Sequence, residues 1–237
     1  MPEKLSKWIE ENLLIQSYKK KSLEGYKEVL NSLNLKKPKE IILIGGTNGK
    51  GSLSELITKL AVKGNVSVGT FTSPHLLNFN ERIRVNDKEI SDEKLLDVLK
   101  RFNRRKESHN LNFYQIISLA ALYHFNKLDL DLWVLEIGMG GRLDPMNFIE
   151  PDISVITKVA LDHQEYLGDT IEEIAAEKVE IARPNRPLIY GSEIVPNSII
   201  EKISKINSFL ISPDKNKYSF NGLSKKSTLS KEVLFCL

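Results

Sequence analysis

Residues 41–60 read IILIGGTNGKGSLSELITKL, with four glycines (Gly45, Gly46, Gly49, Gly51) and Lys50 between an apolar run and a helical pattern. Such a loop turns backbone N–H groups inward on an anion, and the helix that follows adds its positive N-terminal end. Lys50 would reach the outer phosphates of a nucleotide, and a nearby hydroxyl would hold Mg²⁺. The fit to GxxxxGK[ST] is imperfect. Its first glycine falls on Ile44, and Gly51 separates Lys50 from Ser52. A plain tight turn would need the glycines but not the order strand, loop, lysine, hydroxyl, helix.

Three further clusters could join this chemistry. TSPH (72–75) carries a hydroxyl and an imidazole, LEIGMGGRLDPMN (135–147) carries Glu136, Arg142 and Asp144, and ITKVALDH (156–163) carries Asp162 and His163. Glu136 closes an apolar run, where a carboxylate is costly unless it is paired or bound to a metal. Oxygen and imidazole ligands beside a phosphate suit Mg²⁺, which keeps several waters. Alone, His163 reads as a loop histidine; four polar clusters at four strand ends favour a shared site.

The elements needed to position these groups are legible. Helical patterns cover about 3–34 and 112–127, the latter FYQIISLAALYHF. Strands are expected at 41–44, 66–71, 132–138, 153–159 and at PLIYG, the apolar runs LWVLEIG and ISVITKV suiting central parallel strands. ERIRVNDKEI predicts a hairpin turning at Asn86-Asp87. Ser91 predicts a helix cap, and Thr170 with Glu173 a capping box for a helix limited by Pro184. Pro196 suits the first turn of another helix. Alternating strands and helices predict an α/β fold with a mostly parallel, doubly wound sheet, whose ligands sit at the carboxyl ends of the strands.

Composition narrows the function classes. The chain has 237 residues, 41% hydrophobic and 27% charged, with a net charge of +3, as in water-soluble globular proteins. Seven lysines against three acids in 201–237 read as a solvated surface, since nucleic-acid binding would call for interleaved arginines and aromatics. No stretch suggests a signal peptide or a membrane span, and a single cysteine, Cys236, suits a reducing cytoplasm.

In one order stand GTNGKGS (46–52), FTSPHLLNFNERIRVN (71–86), EIGMGGRLDPMN (136–147), ITKVALDH (156–163) and IAAEKVEI (174–181). Together they resemble the ATP-binding domain of the folylpolyglutamate synthase and dihydrofolate synthase family, within the Mur ligase superfamily, over about residues 5–205. The resemblance implies a fold like the Mur ligase central domain and a ligase reaction. ATP phosphorylates a pterin-linked carboxylate, and the amino group of L-glutamate attacks the acyl phosphate. It implies that Gly46, Thr47, Asn48, Gly49, Lys50, Gly51 and Ser52 bind ATP. It makes Ser52, Ser73 and Glu136 ligands of one Mg²⁺, with His163 on a second. Lys178 matches a lysine that is carbamylated, a change that turns an ammonium without lone pairs into an oxygen donor for metal. Taken alone, Lys178 reads as a solvated helix lysine. Lys50, Lys178 and His163 are thus the implied catalytic residues. Asn112, Phe113, Tyr114 and Gln115, with Leu143, Asp144 and Pro145, fall where the family contacts folate or dihydropteroate.

The sequence departs from the family pattern in places. LDATN is LDPMN here, EKAGI is EKVEI, which sets Val179 and Glu180 beside Lys178, and an N-terminal pterin-side stretch reads KKKSLE (19–24). The expected division is an ATP-binding domain over 1–205 and a polar, lysine- and serine-rich segment over 206–237. The family's second domain, which supplies glutamate-side groups, is expected to be absent. Expected partners are small molecules, without nucleic acid or membrane, and the expected state is a monomer that needs the missing domain from elsewhere. Two other readings stay open: a nucleotide-binding module without catalysis, and a superfamily amide ligase with a non-folate substrate.

Overall fold

Strand β1, Glu40–Gly45, lies near the centre of an eight-stranded sheet, with an apolar side chain on each face. The computed structural model describes residues 2–14, 23–105 and 109–213. The stretch beyond 213 with Cys236, and residues 19–22 of KKKSLE, lie outside the described residues. β1 is flanked by β5 (Leu132–Glu136) and β6 (Ile153–Ile156), both parallel to it. β2 (Val68–Phe71) lies beyond β5, and β7 (Pro187–Tyr190) and β8 (Phe209–Ile211) lie beyond β6, all parallel. The predicted hairpin, β3 (Ile83–Val85) and β4 (Lys88–Glu89), adds the antiparallel edge. Asn86 and Asp87 both have positive φ, 50° and 62°, the backbone of a type I′ turn that matches strand twist.

The two faces of the sheet are covered unequally. Ile41, Leu43, Trp133 and Leu135 join a large core with helices α1 (Pro2–Ile9), α2 (Glu24–Ser32), α4 (Asp92–Asn103) and α5 (Phe113–Asn126). Ile42, Ile44, Val134 and Val155 point the other way and meet α3, Lys50–Lys63, through Ile57 and Ala61. Strand alternation thus sends successive residues of one apolar run to opposite layers. Helices α6 (Gln164–Leu167), α7 (Ile171–Lys178) and α8 (Asn197–Lys205) complete the chain order.

Local sequence explains most boundaries. The Ser91 hydroxyl accepts from Lys94 N, and Thr170 and Glu173 form the expected capping box. Some expectations shift. The N-terminal helical region is divided into α1, a π-helical turn at Glu10–Leu14, and α2. α7 stops at Lys178, six residues before Pro184, in a 3₁₀ turn over Val179–Ile181, and Pro196 stands at the N-cap of α8 rather than inside it. β6 ends at Ile156, because Thr157–Ala160 turns to bind the glycine-rich loop.

Candidate functional site

Parallel register brings the predicted clusters together. Ile44 of β1 is opposite Glu136 of β5, and Gly45 is opposite Ile156 of β6. The chain therefore leaves β1 into the glycine-rich loop with Glu136 on one side and Thr157 on the other. Thr157 N donates to Gly45 O at 3.0 Å, and its hydroxyl donates to Asn48 O at 2.7 Å. Thr47 N donates to Lys158 O at 2.7 Å, while Thr47 Oγ1 accepts from Ala160 N at 3.0 Å. Gly46 has φ +131°, and a Cβ there would lie 2.0 Å from Thr157 Oγ1, so the close strap requires glycine. Gly49, φ +85°, is the N-cap of α3 and offers no side-chain cap, which leaves the first N–H groups of that helix for an external acceptor.

Two lysines converge on one carbonyl. Lys50 Nζ donates to Gly46 O at 3.0 Å and to Thr47 O at 3.3 Å, and Lys178 Nζ reaches the same Gly46 O at 3.2 Å. Lys178 is not a solvated helix lysine: it is only 3% exposed. Burial, and then the charge of Lys50, lower its pKa to about 8, opposed by Asp162. A 132-residue separation between the two partners hid this contact from sequence reasoning. Gly141 secures the approach, because a Cβ there would lie 2.5 Å from Glu177 O on the last turn of α7. Glu180 turns elsewhere, pairing with Lys202 of α8 at 2.7 Å.

Glu136 is buried, and Ser73 N, just past β2, donates to its Oε2 at 3.1 Å. Burial raises its pKa to about 7 in spite of that bond and of the nearby Lys50 charge. Gly51, in the first turn of α3, faces the same oxygen, 3.9 Å from its ideal Cβ. Ser52 is exposed on that turn. His163 is the left-handed N-cap of α6, half-exposed, with Nε2 3.7 Å from Asp162. Among the described residues no three His, Cys, Asp or Glu side chains converge into a closed metal cage.

Glu136 also gives a pH dependence to the stability. Between 4.5 and about 7 the folded protein keeps a proton there that the unfolded chain has released. Its contribution is therefore complete below pH 4.5 and declines as pH rises to about 7, by on the order of 3 kcal/mol. Urea unfolding from pH 4.5 to 7.5 is expected to show wild type losing ground to Glu136→Gln by about that amount. A difference between the two proteins that stays level with pH would contradict this account of the group.

The remaining predicted residues occupy the other side of Glu136. Asn112 and Gln115 are engaged in a reciprocal capping box at the start of α5, with bonds of 2.9 and 2.8 Å. Phe113 packs edge-on against Phe79 at 5.6 Å. Tyr114 is tilted against Phe71 at 6.0 Å, its buried hydroxyl beside Gly138 and Ser73. Asp144 is buried and accepts from Gly138 N, Met139 N and Met146 N, yet burial pushes its pKa up to about 7. Tyr26, which sequence reasoning did not single out, buries an unpartnered hydroxyl that feels the charge of Asp144. Leu143 is exposed and Pro145 buried. Thr157, the other omission, carries only one legible signal, its place at a strand end.

The fold and this loop define an open, mostly parallel α/β domain with a glycine-rich strand-to-helix turn where the chain crosses from one side of β1 to the other. The sequence profile described as the Mur ligase middle domain matches residues 44–228, and the chain belongs to that family. It is 36% identical over 186 residues to a dihydrofolate synthase/folylpolyglutamate synthase of Haemophilus influenzae, covering 78% of this chain and 42% of the relative. The corresponding Escherichia coli protein is 33% identical over 180 residues, 76% of this chain and 43% of the relative. A crystal structure of a bifunctional folylpolyglutamate synthase/dihydrofolate synthase with Mn, AMPPNP and L-glutamate bound superposes with a TM-score of 0.82 at 31% identity, covering 89% of this chain and 52% of that one. E. coli FolC in complex with DHPP and ADP gives 0.80 at 31%, covering 88% and 51%. The chain thus spans about half the length of these relatives or less. No helix among the described residues is long and apolar enough to cross a membrane.

Proposed function

We propose that the chain is the nucleotide-binding part of an ATP-dependent ligase that joins L-glutamate to the carboxylate of a folate or dihydropteroate through an acyl phosphate. The observation that carries this reading is the Lys50 ammonium on the carbonyls of Gly46 and Thr47, below the uncapped end of α3. A cation beside free helix N–H groups fits the phosphates of ATP. Residues 46–52 cradle those phosphates, with Lys50 on the outer ones. Ser52, Ser73 and Glu136 hold Mg²⁺, which neutralises a carboxylate that burial otherwise drives toward its protonated form. His163 and Lys178, the latter as its carbamate, hold a second Mg²⁺. A lysine whose pKa is lowered to about 8 offers the neutral amine that carbamate formation requires. Asn112–Gln115 and Leu143–Pro145 face the pterin, where the buried Tyr26 hydroxyl offers a polar partner for ring atoms.

The similarity to proteins solved with AMPPNP, ADP, L-glutamate and DHPP supports these substrates. We place the reaction in the cytoplasm, in a monomer whose glutamate side is furnished by residues outside 1–237. The strand-end rim suits such a neighbour, since Leu76 and Leu77 after β2 and Ile194 after β7 are 90%, 87% and 84% exposed. Titration calorimetry of this chain with Mg²⁺–ATP, and then with dihydropteroate, tests the reading. Binding of both is expected, and failure to bind either would overturn it.

A further inference from the structure

Next to this site stands a charge that the nucleotide and the metal leave unused. Arg82, at the end of the 3₁₀ turn Phe79–Arg82, is 8% exposed. Its guanidinium carbon lies 5.2 Å from the Phe79 ring centre and 5.6 Å from that of Phe113. Its Nε donates to Nδ1 of His75 at 2.9 Å. Among the described residues it makes no ion pair. Nearby Glu81 is already engaged, accepting from the backbone N–H groups of Leu76, Leu77 and Asn78 at 2.6–2.8 Å. Ring faces offset part of the cost of burying a cation, and the terminal N–H groups of the fork are left to water or to a ligand. Because Nδ1 of His75 accepts, its proton belongs on Nε2.

Arg82 and His75 line a cavity of about 530 Å³ between α1, the 75–82 loop and the start of α4, with Leu5, Ile9, Ile90 and Phe113 among its walls. That volume is in the range of small-molecule sites. Three carboxylates also line it: Asp92 accepts from Asn80 Nδ2 at 2.9 Å, and Glu10 and Glu89 are exposed to water. The groups that are buried and preformed are therefore cationic and aromatic.

We infer that this cavity receives a flat aromatic carboxylate, with Arg82 as the bidentate partner of the carboxyl group and the His75 Nε2–H as a second donor. The planar fork of arginine matches a carboxylate, and Phe79 and Phe113 hold that fork in one orientation. Resting on the ligase reading above, this makes Arg82 the anchor of the acceptor carboxylate, with His75 in a positioning role.

The test separates this inference from the reading it rests on. Benzoate and its neutral isostere benzamide are titrated into the wild-type chain while the ¹⁵N signals of the His75 ring are followed, and dihydropteroate is titrated in parallel. Benzoate is expected to shift the His75 signals and benzamide to bind at least tenfold more weakly. Arg82→Gln, checked for folding by circular dichroism, is expected to lose that preference, and Arg82→Lys to keep part of it. Equal binding of acid and amide by wild type, a comparison that needs no variant, would overturn the assignment. So would an unchanged preference in Arg82→Gln. Wild type that binds benzoate as described but not dihydropteroate would overturn the folate reading alone.

Discussion

Replacing Lys50 by alanine is expected to weaken Mg²⁺–ATP binding by roughly ten- to a hundredfold. A charge-assisted hydrogen bond contributes about 1.5–3 kcal/mol, and about 1.4 kcal/mol is a tenfold change in affinity. In the present structure the ammonium is held by the carbonyls of Gly46 and Thr47, contacts that a phosphate would replace with stronger ones. Calorimetric titration is the direct measure, and equal affinity of wild type and variant would remove the 46–52 loop from the nucleotide site.

Residues 1–237, incubated with ATP, Mg²⁺, L-glutamate and dihydropteroate or tetrahydrofolate, are expected to form little or no glutamylated product although they bind nucleotide. Acyl-phosphate chemistry needs two reactants in register and water excluded from the intermediate. Positioning of this kind can account for ~7–11 kcal/mol of a barrier. Leu76, Leu77 and Ile194 instead leave the strand-end rim open to solvent. The solved relative with L-glutamate bound is about twice the length matched here. Mass analysis of the products gives the answer. Robust glutamate addition that disappears in Lys50→Ala would show that these residues form a complete catalytic unit.

The strands and the loop were legible because their signals are local. An apolar run between breakers declares β1, β5 and β6, and paired oxygens three residues apart declare the cap of α7. The convergence of the site has no local signature. Glu136 reaches the loop because Ile44 is its register partner, and Lys178 reaches Gly46 because α7 ends over Gly141. Both depend on which strand lies beside which, and an α/β sequence leaves that open. Lys178 read as solvated for the same reason, since its burial comes from layers that close over it. Arg82 stood inside a recognised stretch without a role, because only the fold brings Phe113 from α5 against its side.

The unequal layers of the sheet set how the molecule opens. Among the described residues, six of the seven helices of at least eight residues pack on one face, whereas α3 holds its side chiefly through Ile57 and Ala61. Local opening of α3 is therefore expected to cost less than global unfolding, its amides exchanging as a separate cooperative unit. The N–H groups that would meet phosphate belong to the first turn of that same helix. A ligand there would stabilise the weaker unit by mass action. Occupancy of the site would then be recorded as slower exchange along α3, back to Gly64, with β1 and β5 unchanged.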